Sequence, residues 1–310
     1  MMPRIFKADL HIHTCLSPCA ELNMGPKTIV QQALQQGLDV IGISDHNSSE
    51  NVSAVMRAAQ DRNLKVLPGM EVTTKEEVHI LAVFDSADRA LQLQEIVYEH
   101  LPGENDPEAF GLQVVVNEDH DVLGFNKRLL AGATELSVEQ VVDSICSLDG
   151  LAIAAHVDRE TFGILGQLGF IPEELHLDGL ELSRHTSREE AKRRFPEYAR
   201  YAFLRSSDAH SATDIGKVWT SLLLVEPSMQ EIRKALRGED GRRVVPEDVN
   251  PNVFRLQERV SMGLRPAQGD GNRRCCRPRE GLALSLPKGL GPGQSRKNWT
   301  PAFAGLAGVS

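Results

Sequence analysis

The chain of 310 residues contains 41% hydrophobic and 25% charged residues, an ordinary globular composition that excludes a fibrous or largely disordered protein. Its apolar runs are much shorter than the roughly 20 residues that span a bilayer, so no membrane segment is predicted. The N-terminus lacks the apolar stretch of a secretory signal, so a cytoplasmic location is expected. The five cysteines form no regular pairs, which favours reduced thiols.

The net charge of −9 is unevenly distributed along the chain. Residues 261–310 contain eight Lys and Arg against two Asp and Glu, so the first 260 residues carry a net charge of −15. Such an acidic body disfavours an extended nucleic-acid partner. From residue 261 onward the sequence is rich in Gly, Pro and Arg and has no sustained periodicity. We therefore predict a domain over residues 1–250 and a disordered tail over residues 251–310.

Between residues 5 and 245, short apolar runs alternate with helical patterns, which is the rhythm of a parallel α/β fold. Pro26 and Gly37 mark the two ends of one helix, and Ser137 and Ser228 begin capping-box patterns before two others. Residues 101–130 are predicted to form a variable loop or a small insertion. The predicted strands are residues 5–10, 40–44, 66–67 with 70–72, 78–83, 113–116, 151–155, 179–182 and 202–204.

Histidines and carboxylates occur at the ends of several predicted strands. After the first strand, His11 and His13 are alternate residues of an extended segment, so both can bind one metal ion. Because the carboxyl ends of parallel strands converge on one rim of an α/β barrel, ligand-type residues at other strand ends are expected nearby. Imidazole and carboxylate ligands suit zinc, iron or manganese in a polynuclear site. The further strand-end residues are Asp45, His46, Glu71, His79, His156, Asp208 and His210.

These motifs resemble the PHP (polymerase and histidinol phosphatase) superfamily over residues 5–245. The resemblance rests on DLHIHT at residues 9–14, SDH at 44–46, PGME at 68–71, AH at 155–156 and SDAH at 207–210. It implies a distorted, TIM-like (β/α)7 barrel with a site for two or three divalent metal ions. The metal ligands that it implies are His11, His13, His46, Glu71, His156, Asp208 and His210.

Two further ligands of the family are harder to match. Soon after the His-x-His pair, where relatives carry a His or Asp, this chain offers Glu21 as the only carboxylate, with Cys15 and Cys19 as soft alternatives. For the ligand between the glutamate and the later histidine motif, His79 is favoured over His120 because His79 borders an apolar strand. The expected ligand set therefore includes Glu21 and His79.

The expected chemistry is metal-assisted hydrolysis of a phosphate ester. No Ser-His-Asp order, glycine-rich phosphate loop or zinc-ribbon spacing occurs, so a metal-activated hydroxide is the expected nucleophile. Asp208 is expected to hold the metal cluster together with imidazoles such as His210, and to take the proton of the attacking water. Asp45 is expected to orient a ligand histidine. Arg159 and Arg184 are candidates for binding the substrate phosphate.

The expected activity is that of a phosphomonoesterase acting on a small phosphorylated metabolite or nucleotide. One alternative is an exonuclease, or a phosphatase of oligonucleotides or nucleoside bisphosphates. Another is a noncatalytic metal-binding regulatory module. Metal content would separate a module from an enzyme, and a substrate panel would separate the enzymes from one another.

Overall fold

The computed structural model describes residues 2–246, so the predicted tail of residues 251–310 lies outside the described part of the chain. Within residues 2–246, none of the helices has the length and apolar character needed to cross a membrane. The α-helices are α1 (Pro26–Gln35), α2 (Val52–Ala58), α3 (Ala87–Glu99), α4 (Pro107–Phe110), α5 (Val138–Ser147), α6 (Ile164–Leu168), α7 (Arg188–Arg194) and α8 (Met229–Arg237). The strands are β1 (Arg4–Ile12), β2 (Val40–Ile43), β3 (Lys65–Thr73), β4 (His79–Val83), β5 (Val114–Val116), β6 (Val122–Phe125), β7 (Leu151–Ala154), β8 (Gly179–Leu182), β9 (Phe203–Arg205), β10 (Thr220–Leu224) and β11 (Arg243–Val245).

Nine strands form one sheet in the order β11-β10-β1-β2-β3-β4-β7-β8-β9, while β5 and β6 form a separate hairpin. Strands β1, β2 and β3 pair in parallel, as do β7, β8 and β9. A bridge between Ile12, at the end of β1, and Ala209, beyond β9, joins the two sides of this sheet. Seven strands, namely β1 to β4 and β7 to β9, therefore enclose a nearly closed barrel, which confirms the predicted fold class.

Strand β4 departs from the expected parallel arrangement, because it runs antiparallel to both β3 and β7. Only residues 74–78 connect β3 to β4, and Thr74 N donates to Val78 O across this turn at 2.9 Å. A parallel crossover needs a dozen or more residues, and this connection is too short for one, so the chain reverses direction. As a result His79, the first residue of β4, pairs with Thr73 at the end of β3 and lies at the rim.

The core follows the alternation of side chains along the strands. In β4, Ile80 and Ala82 pack in the cluster that includes residues of α3 and α5, on the outer face of the sheet. Leu81 and Val83 point to the other face, where they join buried side chains from strands around the whole barrel, such as Phe6. The barrel interior is therefore filled with apolar side chains below the polar rim.

Every strand predicted from the sequence is present in the structure, and residues 66–67 and 70–72 belong to the single strand β3. Strands β6, β10 and β11 were not predicted. The capping box at Ser137 is complete, because Ser137 and Gln140 each accept the other's backbone N–H. At Ser228 only half of the box forms, since the Glu231 carboxylate accepts from Val225 N and Arg242 instead.

The predicted insertion of residues 101–130 contains α4 and the β5–β6 hairpin. It lies against the segment that follows β2, where Asn47 Nδ2 donates to the carbonyl oxygens of Leu130 and Gly132 at 2.8 Å each. The longer segment between His100 and Glu135, which contains this insertion, has adjacent ends, because Glu135 N donates to His100 O at 2.8 Å. The insertion therefore leaves and rejoins the barrel at a single point beside the rim.

Candidate metal centre

Eight of the nine predicted metal ligands converge at one rim of the barrel, at the carboxyl ends of β1, β2, β3, β7 and β9 and the amino end of β4. Most of these side chains are buried, and only the His210 side chain is as much as 30% exposed. The reversal of β4 explains why a residue at a strand start joins residues at strand ends. The converging residues are His11, His13, His46, Glu71, His79, His156, Asp208 and His210.

His11 and His13 form the deepest part of this cluster. Both side chains are fully buried, and their Nε2 atoms are 3.1 Å apart. His11 Nδ1 donates to the Glu181 carboxylate at 2.9 Å. His13 Nδ1 lies 3.0 Å from Ser17 Oγ, whose own hydrogen is donated to Asp45 at 2.7 Å. Both Nδ1 atoms therefore carry the hydrogen in the neutral rings, and the two Nε2 atoms face each other as lone pairs.

Glu71 lies at the centre of the ring of histidines. Its Oε1 is 2.8 Å from His79 Nδ1 and 3.1 Å from His156 Nε2, while its Oε2 is 3.0 Å from His46 Nδ1. Burial alone would raise the pKa of Glu71, but the surrounding imidazoles, His79 first among them, hold the pKa well below its ordinary value. An ionised carboxylate is thus available to bridge several positions of the cluster.

The metal-ligating atoms of this cluster are arranged in a way that suits bound metal ions. The lone pairs of His11 and His13 point at each other, and Asp208 Oδ1 lies 3.4 Å from each of these Nε2 atoms. Buried acceptors facing acceptors are unfavourable unless a cation lies between them. His156 Nδ1 and Glu181 Oε1 are also buried without a hydrogen-bond partner among the described residues. Three overlapping groups have donor atoms within 4.8 Å: His13, His46 and His210; His11, His13 and Asp208; and His46, Glu71 and His79.

Asp208 connects the cluster to a basic side chain. Its Oδ2 pairs with Arg159 Nη2 at 2.7 Å, while its backbone carbonyl lies 3.0 Å from His210 Nδ1. The Arg159 side chain is 37% exposed, so one end of the cluster is open to solvent beside a guanidinium. Arg184 is less closely linked to the cluster, since its guanidinium pairs with Asp214 at 3.2 Å and is 41% exposed.

Asp45 holds the loop that follows the His-x-His pair. Its carboxylate accepts from Thr14 N, Thr14 Oγ1 and Ser17 Oγ, each at 2.7 Å, and it is fully buried. Through Ser17 it contacts the ring of His13, an arrangement compatible with the orienting role expected for this carboxylate. The Asp45 carboxylate therefore contacts the loop of residues 14–17 and not the open end of the cluster.

The structure also adds a carboxylate that the sequence interpretation missed. Glu181, in β8, accepts from His11 Nδ1 and from the backbone N of His156 at 3.4 Å, and it is only 1% exposed. It lies inside a four-residue strand of otherwise apolar residues, so the sequence pattern indicates only a strand residue. A lone Glu within a short, wholly buried strand was the available signal, because such a charge needs a buried partner.

The sequence left open whether Glu21 or a cysteine supplies the ligand after the His-x-His pair, and the positions of these residues distinguish them. Glu21 is solvent-exposed and contributes its backbone N–H to the carbonyl of His210 at 2.8 Å. Cys19 is also exposed as a residue, but its thiol lies on the side of His210 and His46: desolvation of the thiol opposes ionisation, while interaction with these two imidazoles lowers the pKa of Cys19 to about 6. The structure therefore brings Cys19, and not the side chain of Glu21, toward the imidazoles. Glu21 as a ligand remains a prediction without support from its surroundings.

The other two alternatives lie away from the centre. Cys15 is buried against Val114 and burial raises its pKa to about 12, which agrees with a packing role. His120 occupies a turn with a φ of 73°, and its ring packs where a side chain on Gly25 would stand, at the start of α1. His79, which contacts Glu71, is therefore the better placed of the two candidate histidines.

Three residues at the rim have left-handed backbone angles. His156 has a φ of 31°, Asp208 of 50° and Asn47, next to His46, of 49°. Residues other than glycine rarely adopt these left-handed values, and they persist only where the surroundings enforce them. Each of these positions lies within four residues of the end of a strand, at or next to a residue whose side chain belongs to the cluster.

Comparison with known families and structures agrees with this geometry. A family model described as the PHP domain matches residues 9–160, and a second, described as PHP-associated, matches residues 191–240. The first match contains His11 through His156, and Asp208 and His210 fall within the second. No protein of curated function matches the chain.

Two similar structures are of endonuclease Q. The lesion-specific endonuclease PfuEndoQ from Pyrococcus furiosus aligns with a TM-score of 0.62 and 18% identity, over 85% of this chain and 67% of that one. Endonuclease Q in complex with a 27-mer duplex carrying an abasic lesion at the active site aligns with a TM-score of 0.61 and 20% identity, over 77% of this chain and 58% of that one. At such identities the similarity establishes a shared fold, and this chain spans only part of the length of both proteins.

Proposed function

Because the chain belongs to the PHP superfamily, a family of metal-dependent hydrolases of phosphoric esters, we propose that it is a phosphomonoesterase of a small phosphorylated metabolite or nucleotide. The observation that carries this proposal is the pair of buried imidazole lone pairs, 3.1 Å apart, with Glu71 and Asp208 beside them. Such a donor set is suited to binding cations. Its position at an open rim gives a phosphate ester access to it.

The donor groups support two or three divalent ions. His13 belongs to two of the three groups and His46 to two, so neighbouring ions would share ligands. Imidazole and carboxylate donors suit manganese, zinc or iron, and the thiol of Cys19 beside His46 and His210 favours zinc or iron. When bound, such ions supply a nucleophilic hydroxide near neutral pH and neutralise the oxygens of the phosphate.

The protein's own residues would position the ester and move the proton. Arg159 is exposed beside the cluster and pairs with only one oxygen of Asp208, so its remaining N–H groups can bind a substrate phosphate. Asp208 faces His11 and His13 with its other oxygen and is the carboxylate placed to take a proton from the attacking water. Asp45 and Glu181 act through hydrogen bonds to His13 and His11, as positioning residues.

A nuclease is the second candidate function, and the shared fold with endonuclease Q over 85% of this chain favours it. The net charge of −15 over the first 260 residues disfavours a long phosphate backbone, so short oligonucleotides are the better fit. A noncatalytic metal-binding module is the third. The open position of Arg159 beside a complete donor set argues for a substrate and therefore against such a module.

The test is metal analysis of the purified full-length protein, followed by phosphate release from phosphorylated sugars, amino alcohols, nucleotides and short oligonucleotides with manganese, zinc or iron. We expect two or three bound ions and turnover of a monoester. The Asp208→Asn protein should bind fewer ions and lose turnover. Cleavage of internal phosphodiesters with no release from monoesters would favour the nuclease. Full metal loading with no turnover of any ester would favour the binding module.

A further inference from the structure

The segment of residues 157–163, here called the rim loop, carries two exposed side chains beside the metal centre. It begins after His156 and ends at α6. Arg159 pairs with Asp208, as described above, and the ring of Phe162 stacks on the ring of His79 with centroids 4.4 Å apart and an angle of 18° between the planes. The rim loop thus places a cation and an aromatic ring at the edge of one cluster.

The rim loop is held firmly in this position. Gly163 packs so closely on the loop that a Cβ there would lie 2.5 Å from Arg159 O and 2.9 Å from His156 O. The Asp158 carboxylate accepts three hydrogen bonds of 2.6 to 2.7 Å from Ser183 and Thr186. The backbone of Phe162 is fixed by His79 N, which donates to its carbonyl at 2.9 Å. Arg159 and Phe162 therefore project from a well-defined backbone.

Burial in the hydrophobic core does not account for the side chain of Phe162. The residue is 40% exposed and has a φ of 61°, a value that is strained for an aromatic residue and that Gly or Asn adopts at lower cost. A partly exposed aromatic ring in a strained backbone contributes little to the core. Such strain at the edge of a catalytic cluster indicates a functional constraint on the side chain.

We propose that Phe162 is a specificity-determining residue that stacks against a planar aromatic ring of the substrate while Arg159 binds its phosphate. The proposal rests on the proposed function and narrows its substrate to esters that carry a ring close to the phosphorus, namely a nucleobase. Bases stack on aromatic side chains whatever their hydrogen-bonding edges, so one phenylalanine can serve several bases. The base belongs either to a free nucleotide or to the end of a short oligonucleotide.

A pair of substrates that differ only in the base provides the test: adenosine 5′-monophosphate and ribose 5-phosphate. The value of kcat/KM is measured for both with the metal-loaded protein, and the affinity for both is measured separately by calorimetry with no turnover required. We expect the wild type to prefer the nucleotide and Phe162→Ala to reduce that preference roughly 5- to 150-fold, the range for loss of one base–aromatic stack. Phe162→Trp should retain the preference.

The matched control is Phe170→Ala, which removes another exposed phenylalanine outside the rim loop, 58% exposed, and should leave the preference unchanged. If Phe162 only supports His79, Phe162→Ala will slow both substrates equally and the proposal is overturned. Equal affinity of the wild type for the two compounds, or binding of neither, also overturns it. Binding that depends on Phe162 without any hydrolysis would uphold this inference while contradicting the proposed function.

A third compound, a 5′-phosphorylated trinucleotide of adenosine, separates the two sources of the base. A larger loss of affinity in Phe162→Ala for the trinucleotide assigns the stacked ring to an oligonucleotide end. A larger loss for the mononucleotide assigns it to a free nucleotide. Either result supports stacking at Phe162, since ribose 5-phosphate serves as the reference for both.

Discussion

The charged and polar side chains at the two ends of the barrel are arranged differently. At the amino ends of β7, β8 and β9, a cavity of about 610 Å³ is lined by charged groups that satisfy one another. Arg233 donates to the Asp149 carboxylate at 2.7 Å, and Arg237 pairs with Asp178 at 3.2 Å. At the metal rim, by contrast, the imidazole lone pairs of His11 and His13 face each other and two carboxylates.

This contrast separates stability from function within one fold. The charged groups at the amino ends of β7, β8 and β9 are paired with one another and require no bound ion. Because their partners neutralise them, they have little affinity for a ligand. Closely spaced buried imidazoles and carboxylates at the rim, with His156 Nδ1 and Glu181 Oε1 lacking a hydrogen-bond partner among the described residues, lower the stability of the metal-free protein, and the binding of cations there offsets that cost. A cavity alone therefore does not identify the catalytic end of a barrel, whereas the balance of donors and acceptors does.

The largest effect should come from removing a rim imidazole. His11→Ala deletes a donor shared with His13 and Asp208, and we expect activity to fall by more than about 100-fold, since loss of an outer partner alone costs 10- to 100-fold. Steady-state kinetics at saturating metal provides the measurement. Arg237→Ala, at the opposite end, is the control and should retain activity. Equal losses in both variants would contradict the functional separation of the two ends.

Metal removal should destabilise the protein through the rim. At a metal concentration about 100 times the Kd, binding contributes about 2.7 kcal/mol to the free energy of unfolding. For a domain of this size, that corresponds to a shift of Tm by very roughly 5 to 10 °C. Thermal unfolding with and without a chelator measures the shift. His11→Ala should show a much smaller shift, and an undiminished shift in that variant would place the metal elsewhere.

Glu181→Gln should weaken metal binding by about 10- to 100-fold, because the amide no longer provides a charged acceptor for His11 Nδ1. The matched control is Glu231→Gln, which alters another largely buried carboxylate that lies on α8 and accepts from Val225 N and Arg242. That variant is expected to lose some stability and to keep its metal affinity. Competition with a metallochromic chelator measures both affinities, and equal affinities would remove Glu181 from the positioning residues.

The smallest change in the free energy of unfolding is expected at the amino ends of β7, β8 and β9. Arg237→Ala removes a half-exposed partner of Asp178, and such pairs contribute up to about 1 kcal/mol to the free energy of unfolding. Chemical denaturation of the variant and the wild type measures the difference. Raising the salt concentration should reduce it, because ions screen exposed charges. A loss that exceeds the effect of metal removal would contradict the expectation that this exposed ion pair contributes little to the free energy of unfolding.

Much of the centre could be predicted because each donor carries a local signal. His46 and His156 follow short apolar runs that were predicted as strands and form β2 and β7, and parallel strands bring their ends together. The direction of β4 was also accessible, since residues 74–78 are too few for a parallel crossover. Its reversal is what places His79 beside Glu71.

The rest depended on contacts that sequence patterns do not encode. Glu181 lies in a strand whose periodicity resembles core, and its role depends on the ring of His11 across the barrel. Whether Glu21 or Cys19 approaches the imidazoles is decided by the path of one loop, in which Ala20 N donates to Ser17 O and turns the chain. Phe162 is a single aromatic residue outside any repeat, and only its φ and its stacking on His79 set it apart.

The hydrogen bond between Glu135 N and His100 O has an evolutionary consequence. Because the intervening segment starts and finishes at adjacent points, it can be replaced as a cassette without shifting the register of any barrel strand. Lengthening such a segment adds little entropic cost, about 0.6 kcal/mol for each doubling of its length. A replacement would need to supply acceptors for the amide of Asn47, which now binds Leu130 and Gly132. Variants of this barrel can therefore exchange the segment beside the rim while they keep the same candidate ligands.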